Sequence, residues 1–207
     1  QSIVGVKVAC PKAKISGFAQ QVLFTMTSVP LISVSTCVMP HEVGSKCTQA
    51  VENIFPDFHF PNPPGEEMFP INRNPVEMVC EGVSPDRFLE LLGEQRILDT
   101  ALDAMSLNLG RTGDNQKLNY TTKFLISRQA AIRGKIAFVL ENERTVGGVI
   151  EVSMQSDDLV DWIEEATWHP GRTDVPRTVG DELSMRLDGA VTEWFDKKGR
   201  ATIQTDE

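Results

Sequence analysis

The amino-acid sequence predicts an α+β fold in which helices pack on one face of an antiparallel sheet. Short β-branched or alternating segments are interspersed with segments whose apolar residues recur every three or four positions. These two patterns are typical of strands and of amphipathic helices. Their order along the chain, β-α-β-β-α-β-β-β-α, favours one sheet with a layer of helices.

Length and composition indicate one globular domain with appendages. The chain has 207 residues, of which 41% are hydrophobic and 24% charged, which is enough apolar material for one core. We expect an N-terminal extension over residues 1–29, an α+β domain over 30–172 and a C-terminal extension over 173–207. The first segment has no acidic residue, residues 3–8 resemble a strand, and Met26 is an alternative start.

Net charge and cysteine spacing indicate which partners and which cellular compartment to expect. A net charge of −9 argues against a protein that coats nucleic acid non-specifically, so any polyanion site must be local. The cysteines, at positions 10, 37, 47 and 80, contain no CxxC pair, which is typical of a reducing cytoplasm. No apolar run approaches the roughly 18 residues of a membrane span. We therefore expect a cytoplasmic protein with no membrane partner.

The first half of the domain reads as β-α-β followed by a loop. Residues 31–38 are β-branched and partly alternating, which predicts a strand. A helical stripe follows over residues 43–54 and ends before Pro56. The alternating segment 58–60 predicts the second strand. Residues 61–75 contain five prolines, which predicts a long surface loop.

One long helix over residues 84–105 is predicted after a strand at 76–80. Ser84 can cap this helix. Gln95 falls inside the buried stripe, so we expect its amide to bond a neighbouring backbone group. Arg96 and Asp99 are expected to pair on the helix surface.

Further strands and one helix complete the domain. The strands are predicted over residues 118–126, 135–140 and 149–154, and the helix over 156–166. Gly147 and Gly148 can supply positive φ for a turn or bulge. In the C-terminal residues, 183–187 and 191–195 are candidates for additional strands.

Several separated motifs resemble those of the archaeal UPF0201 family. They are Gln-Arg-Ile-Leu-Asp-Thr-Ala at 95–101, Ser-Arg-Gln-Ala-Ala-Ile-Arg-Gly at 127–134, Gly-Gly-Val-Ile-Glu-Val at 147–152, Asp-Trp-Ile at 161–163 with Gly-Arg at 171–172, and Glu-Asn-Ile-Phe-Pro-Asp at 52–57. The resemblance spans roughly residues 31–172. It implies an archaeal source, a fold similar to ribosomal protein L5 and RNA binding, without a characterised reaction.

The chain departs from the family pattern at one turn. Ser127, Arg128 and Ile132 stand where the family tends to have Asn or Asp, Lys and an aromatic residue. Arginine keeps the charge and adds a planar fork suited to phosphate. Because the missing aromatic removes a stacking platform, we expect contact with RNA shape and backbone rather than with splayed bases.

Residues 116–136 carry a local excess of positive charge, with five cations and no acidic residue. Odd-numbered positions of a strand share one face, so the cations can form one patch. The predicted RNA-binding residues are Lys117, Lys123, Ser127, Arg128, Gln129, Arg133 and Lys135. The alternative is an ordinary solvated sheet face whose cations pair with acids elsewhere, and Gln129–Ala131 also reads as a tight structural turn.

The sequence contains no recognised catalytic or metal-binding motif. It lacks GxGxxG, P-loop and HExxH patterns. The histidines His59 and His169 stand isolated, and Cys37, His41, Cys47 and Cys80 do not match a zinc-knuckle spacing. We expect no enzyme activity, cofactor or metal. The favoured function is non-catalytic binding of structured RNA, ribosomal RNA included; the alternative is a protein-interaction or homo-oligomerising module, such as a homodimer, that binds no nucleic acid.

Overall fold

The strands form one sheet with the helices on one face, as the computed structural model shows. The structure describes residues 4–9, 28–61, 63–65, 73–112, 119–140, 143 and 145–179. The strands are β1 (Val4–Ala9), β2 (Leu31–Val38), β3 (Val76–Glu81), β4 (Gly110–Thr112), β5 (Asn119–Ser127), β6 (Phe138–Val139) and β7 (Val149–Ser156). The helices are α1 (Gly44–Glu52), α2 (Asp86–Gln95), α3 (Leu98–Leu107), α4 (Arg128–Ala131) and α5 (Leu159–Ala166), followed by a 3-10 turn over Pro170–Thr173.

The sheet has the strand order β1-β3-β2-β7-β5-β4, with β6 paired to β5. Every pair is antiparallel except β1–β3, which is parallel. The predicted α+β class with an antiparallel sheet is therefore confirmed, apart from this one parallel pair at the edge. Strand β1 lies within the segment expected to be an N-terminal extension.

Side chains alternate between the two faces of the sheet. Even-numbered residues of β2, β5 and β7, such as Val34, Phe124 and Ile150, are buried beneath the helices, while odd-numbered residues lie on the opposite face. The ring of Phe88 stacks on those of Phe55 and Phe124, with centroids 5.6 and 5.8 Å away. These contacts join the end of α1 to α2 and β5 in one core.

The predicted single helix over residues 84–105 is wrong, because two helices, α2 and α3, replace it. At the break Arg96 has a φ of 56°, in the left-handed region. The Ile97 N–H donates to the Leu92 carbonyl and the Arg96 N–H to the Gly93 carbonyl, both at 3.1 Å. This pair of bonds is a Schellman cap, which usually places glycine in the left-handed position. With arginine there, the sequence contains no glycine to signal the break.

The predicted strand at residues 58–60 is also wrong. Phe58 and Phe60 are buried although their backbone belongs to no strand, so the alternation reflects an irregular segment inserted into the core. The predicted strand at 135–140 shortens to β6, and α4 and β4 were not predicted. The remaining strands and helices lie within a few residues of their predicted bounds, and the candidates at 183–187 and 191–195 lie outside the described residues.

Arg73 anchors the end of the proline-rich loop. Its guanidinium donates to the carbonyls of Gly65, Met39, Pro40 and Glu42, at 2.7–3.0 Å. These bonds hold the loop against the segment between β2 and α1.

Candidate nucleic-acid interface

One face of the sheet carries no helix among the described residues, and it is acidic. We call it the open face. A depression of about 410 Å³ on this face is lined by serines, carboxylates and one valine, namely Ser33, Ser35, Glu77, Val79, Glu81, Glu151 and Ser153. Because serine and glutamate side chains are polar, this face of the sheet can remain in contact with water without a second layer of helices or strands. Three carboxylates make this surface unfavourable for phosphate.

Lys123, one of the predicted RNA-binding residues, lies on the open face. Its ammonium group forms an ion pair with Glu151 at 2.9 Å, and the neighbouring strand positions are mostly polar or acidic. The alternative interpretation of the basic segment, a solvated face with paired charges, therefore describes Lys123. We do not retain this residue in the candidate interface.

Arg128 is buried, with 4% of its side chain exposed, which contradicts its predicted role as a phosphate contact. Its guanidinium forms an ion pair with Glu42 and donates to the carbonyls of Gly147 and Cys37 at 2.6 and 2.8 Å and to the Thr36 hydroxyl at 3.1 Å. The planar fork expected to hold phosphate instead holds a carboxylate and carbonyls of the protein itself. Arg128 thus locks the end of β2, α4 and the turn before β7 together.

Two glycines make room for this arrangement. Gly147 and Gly148 have φ values of 85° and 73°, as the sequence predicted. A Cβ atom on Gly148 would collide with the Arg128 guanidinium, whose central carbon would lie 3.0 Å away. Only glycine satisfies both the backbone conformation and the close approach.

Arg96, Arg133 and Lys135 are exposed, and we call these three cations the basic corner. Arg96 follows Gln95 and Lys135 precedes Ile136, the two residues that a hydrogen bond joins. The Gln95 side chain connects the end of α2 to the segment that follows α4. Its Oε1 accepts a hydrogen bond from the Ile136 N–H, and its Nε2 donates one to the Leu91 carbonyl, both at 3.2 Å. The predicted backbone bond of the Gln95 amide is thereby confirmed. No ion pair involves any of these three cations within the described residues.

The other predicted site residues have different placements. Ser127 ends β5, and its N–H donates to the Ala137 carbonyl at 2.8 Å. Gln129 is exposed on α4. The turn that carries it is pinned by Asn53, whose amide donates to the carbonyls of Ala131 and Ile132 at 3.1 Å. Lys117 lies outside the described residues.

A groove of about 290 Å³ lies between α1, α4 and the turn at residues 145–148, and we call it the α1–α4 groove. Its lining comprises Glu42, Val43, Lys46, Cys47, Ala50, Arg128, Gln129, Ile132, Val146 and Gly147. Burial, offset by the nearby Arg128 charge, raises the pKa of the Cys47 thiol, and this cysteine is free. The sequence contained no signal for this groove, because α1 and α4 are far apart along the chain.

Asp99, His169 and Arg172 form a second charged cluster. The Asp99 carboxylate lies 3.0 Å from His169 Nε2 and accepts bonds from Arg172 Nε and Nη2 at 3.3 and 3.2 Å. The predicted Arg96–Asp99 pair and the isolation of His169 are therefore both wrong. Desolvation raises the pKa of Asp99, but the bonds and charges of His169 and Arg172 more than offset it, so the pKa lies below its usual value.

This cluster fastens the 3-10 turn to α3. Arg172 is buried and also donates to the Thr167 hydroxyl at 3.1 Å. Just beyond it, Arg177 pairs with Asp103 at 2.6 Å, and the Val179 N–H donates to Glu164 at 2.9 Å. Residues 173–179 thus lie along α3 and α5.

The described residues contain no group of three or more His, Cys, Asp or Glu side chains placed to hold a metal ion. In the same part of the chain, no helix has both the length and the apolar character needed to cross a bilayer.

The fold and surface define a small single-sheet α+β protein with exposed cations at one corner of its helix layer. The "UPF0201 protein" of Sulfurisphaera tokodaii is 30% identical to this chain over 139 residues, covering 66% of this chain and 88% of the relative. The chain therefore belongs to the UPF0201 family, as the sequence motifs indicated. No family model matches the chain.

One solved structure agrees with the fold. The UPF0201 protein of Methanococcus jannaschii is 24% identical and superposes with a TM-score of 0.50, covering 67% of this chain and 99% of that chain. A second UPF0201 crystal structure is 31% identical with a TM-score of 0.44, covering 59% of this chain and 80% of that one.

Proposed function

We propose that this protein binds structured RNA, ribosomal RNA included, through phosphate contacts from the basic corner and without performing chemistry. One observation carries the proposal: Arg96, Arg133 and Lys135 are exposed, and the hydrogen bond from Ile136 to Gln95 links the chain segments that carry them. Exposed cations that form no ion pair with the rest of the described chain provide a local site for a polyanion on an acidic protein.

The proposed site differs from the one predicted from sequence. Arg133 and Lys135 remain, Arg96 joins them, and Lys123 and Arg128 leave because their charges are neutralised within the protein. The likeness to ribosomal protein L5 that the sequence motifs imply supports an RNA target. It adds no reaction, because function depends on the site rather than on the fold.

The strength of binding should depend steeply on salt. Each phosphate neutralised by a cation releases counterions, so three contacts give a slope of log K against log salt of roughly −2 to −3. Binding that is insensitive to salt would contradict a backbone-directed mechanism.

The test compares two double variants that change the net charge equally. Arg133→Gln with Lys135→Gln should weaken binding of total RNA at low salt by about tenfold or more, as measured by filter binding. Arg87→Gln with Lys123→Gln should leave the affinity nearly unchanged, since both cations already pair with glutamates outside the corner. Equal losses in the two variants, or no RNA binding by the unmodified protein, would overturn the proposal.

The alternative is a homo-oligomerising or protein-interaction module that uses the open face. Its support is that no helix covers this face within the described residues and that Leu31 is 57% exposed on it. The face is more polar than obligate interfaces, which resemble a core cut in half. Light scattering tests the homo-oligomer hypothesis, because a monomeric mass at high protein concentration would rule it out.

A further inference from the structure

The segment that carries Arg133 and Lys135 contains no helix or strand of its own. Residues 132–137 connect α4 to β6, and we call them the corner loop. A segment outside regular secondary structure can adopt many conformations, and fixing it in one of them costs conformational entropy. The positions of these two cations therefore depend on hydrogen bonds that the rest of the protein makes to the corner loop.

Helix α4 ends in the same capping motif as α2. Gly134 has a φ of 66°. Its N–H donates to the Ala131 carbonyl at 2.8 Å, and the Lys135 N–H donates to the Ala130 carbonyl at 3.2 Å. These two bonds form a Schellman cap, which fixes the first part of the corner loop relative to α4. Because α4 has only four residues, it needs support from other elements to hold the loop in place.

Asn53, which directly follows α1, supports the beginning of the corner loop. Its side-chain amide donates to the carbonyls of Ala131 and Ile132, both at 3.1 Å. Asn53 is partly buried, so these bonds are shielded in part from water. The two carbonyls belong to the residues just before Arg133, and the bonds therefore tie the backbone that carries this cation to α1.

Gln95, the last residue of α2, supports the second part of the corner loop. Its Oε1 accepts a hydrogen bond from the N–H of Ile136, the residue after Lys135, while its Nε2 donates to the Leu91 carbonyl within α2. Its side chain is thus itself held at both ends of the amide. Because Arg96 follows Gln95 in the chain, this bond also links the backbone of the third cation to the corner loop.

We propose that Asn53 and Gln95 are positioning residues of the RNA site, which hold Arg133 and Lys135 in place for phosphate before RNA binds. This inference rests on the proposed RNA binding and names the residues that pre-organise its site. Ordering a loop during association costs free energy, and a loop that is already ordered avoids this cost. Asn53 and Gln95 are uncharged, so they should affect the strength of binding without changing the number of counterions released.

The first experiment removes the supporting bonds but keeps the net charge and the approximate side-chain size. Asn53→Leu and Gln95→Met should each weaken binding of total RNA at low salt about three- to tenfold. Filter binding at several salt concentrations should give the same slope of log K against log salt as the unmodified protein. Arg133→Gln should instead make the slope shallower by roughly 0.7–0.9. An equally large change of slope in both amide variants would contradict the positioning role.

The control is a variant that loses a buried hydrogen bond elsewhere. Thr122 in β5 is buried, and its hydroxyl donates to the Met105 carbonyl in α3. Thr122→Val should destabilise the protein but retain its RNA affinity once the folded fraction, measured by urea unfolding, is taken into account. If this variant lost as much affinity as the amide variants, general destabilisation would explain the result and the inference would be wrong.

Hydrogen exchange of the Ile136 amide in the absence of RNA provides a local measurement. In Gln95→Met this amide loses its acceptor, so its exchange should accelerate several-fold or more. In Thr122→Val its exchange should stay close to that of the unmodified protein. Unchanged exchange in Gln95→Met would show that the corner loop keeps its position without this side chain and would overturn the inference.

The outcomes distinguish this inference from the proposed function. If Arg133→Gln weakens binding while Asn53→Leu and Gln95→Met bind as tightly as the unmodified protein, the positioning role is wrong and the phosphate contacts remain. If the unmodified protein binds no RNA, both are wrong. The two amide variants break different bonds, so either one tests the inference if the other does not fold.

Discussion

Arg128 shows how one residue can change from a candidate binding group into a structural one. Its guanidinium satisfies Glu42, two carbonyls and a hydroxyl. Removing one partner of such a buried pair leaves an uncompensated charge, which costs far more than a surface pair contributes. The family-like motif at this turn therefore includes a residue whose charge is paired within the protein.

Gly148→Ala should destabilise the protein by about 2 kcal/mol or more. An alanine at this position must adopt the left-handed backbone conformation, and its Cβ atom must displace the Arg128 guanidinium. Urea unfolding measures the loss. Gly93→Ala is the control: it lies in helix α2 with open space around it, so it should stabilise by about 0.5–1 kcal/mol. Similar destabilisation by both variants would contradict the role of the close approach.

Asp99→Asn should reduce the acid sensitivity of folding. Because the pKa of Asp99 is lowered in the folded state, the ionised carboxylate stabilises the fold fully above the unfolded pKa of about 3.9. This contribution is lost as the pH falls through the folded pKa. The difference in unfolding free energy between the unmodified protein and the variant should therefore be largest above about pH 5 and shrink toward about pH 2.

Urea titrations across that range measure the difference. Asp157→Asn, an exposed carboxylate outside the cluster, should show a smaller change with pH. A difference that grows on acidification would contradict the ion-pair interpretation.

Sequence reasoning at the residue scale succeeded where partners are local. The Gln95 amide was expected to bond backbone because an amide inside an apolar stripe needs partners, and one of these is four residues away. The partner of Arg128 lies 86 positions away, and those of Asp99 lie 70 and 73 positions away. No local pattern connects such residues, so the ion pairs and the groove required the structure.

The break between α2 and α3 determines where the basic corner forms. A continuous helix would have placed Arg96 beside Asp99 on its surface. The Schellman cap instead turns Arg96 outward, while Gln95 remains bonded to the turn that carries Lys135. One strained backbone position thus positions a cation for the proposed site.

Arg96→Gly should separate stability from binding. Glycine adopts the left-handed conformation without the penalty of a Cβ atom, so the variant should gain roughly 0.5–1 kcal/mol in urea unfolding. RNA affinity should fall severalfold, because one cation of the basic corner is lost. Arg96→Ala keeps the strain and loses the charge, so it should weaken binding similarly without the gain in stability.

The strands were predictable because alternation and β-branching are properties of the segment itself, as in β2 and β7. The segment 58–60 shows the limit of this reasoning, since two phenylalanines can alternate into a core without a strand partner. Helix α4 has four residues, too few to display helical periodicity.

On the scale of the whole molecule, the described residues include one acidic surface and one basic surface. The open face carries carboxylates, and the basic corner lies at the helix layer on the other side of the sheet. The net charge of the chain is −9, so the protein as a whole repels a polyanion. Repulsion from most orientations and attraction at one corner would orient an incoming polyanion before contact.

Glu77→Lys should raise the rate of RNA association about two- to fivefold at low salt, because it reduces this repulsion outside the proposed site. Glu77→Gln should show a smaller increase. Both effects should vanish at high salt, where exposed charges are screened. Stopped-flow fluorescence measures the rates, and an increase that persists at high salt would show a new direct contact instead.

The strand order also has a consequence for synthesis on the ribosome. Strand β1 emerges first but pairs with β3, and β2 remains uncovered on one side until β7 arrives, with Thr36 and its bonding partner Val149 separated by 113 positions. The sheet therefore cannot complete its strand pairing until most of the described chain has been synthesised. Such late, long-range pairing slows folding and leaves strand edges exposed to wrong partners during translation.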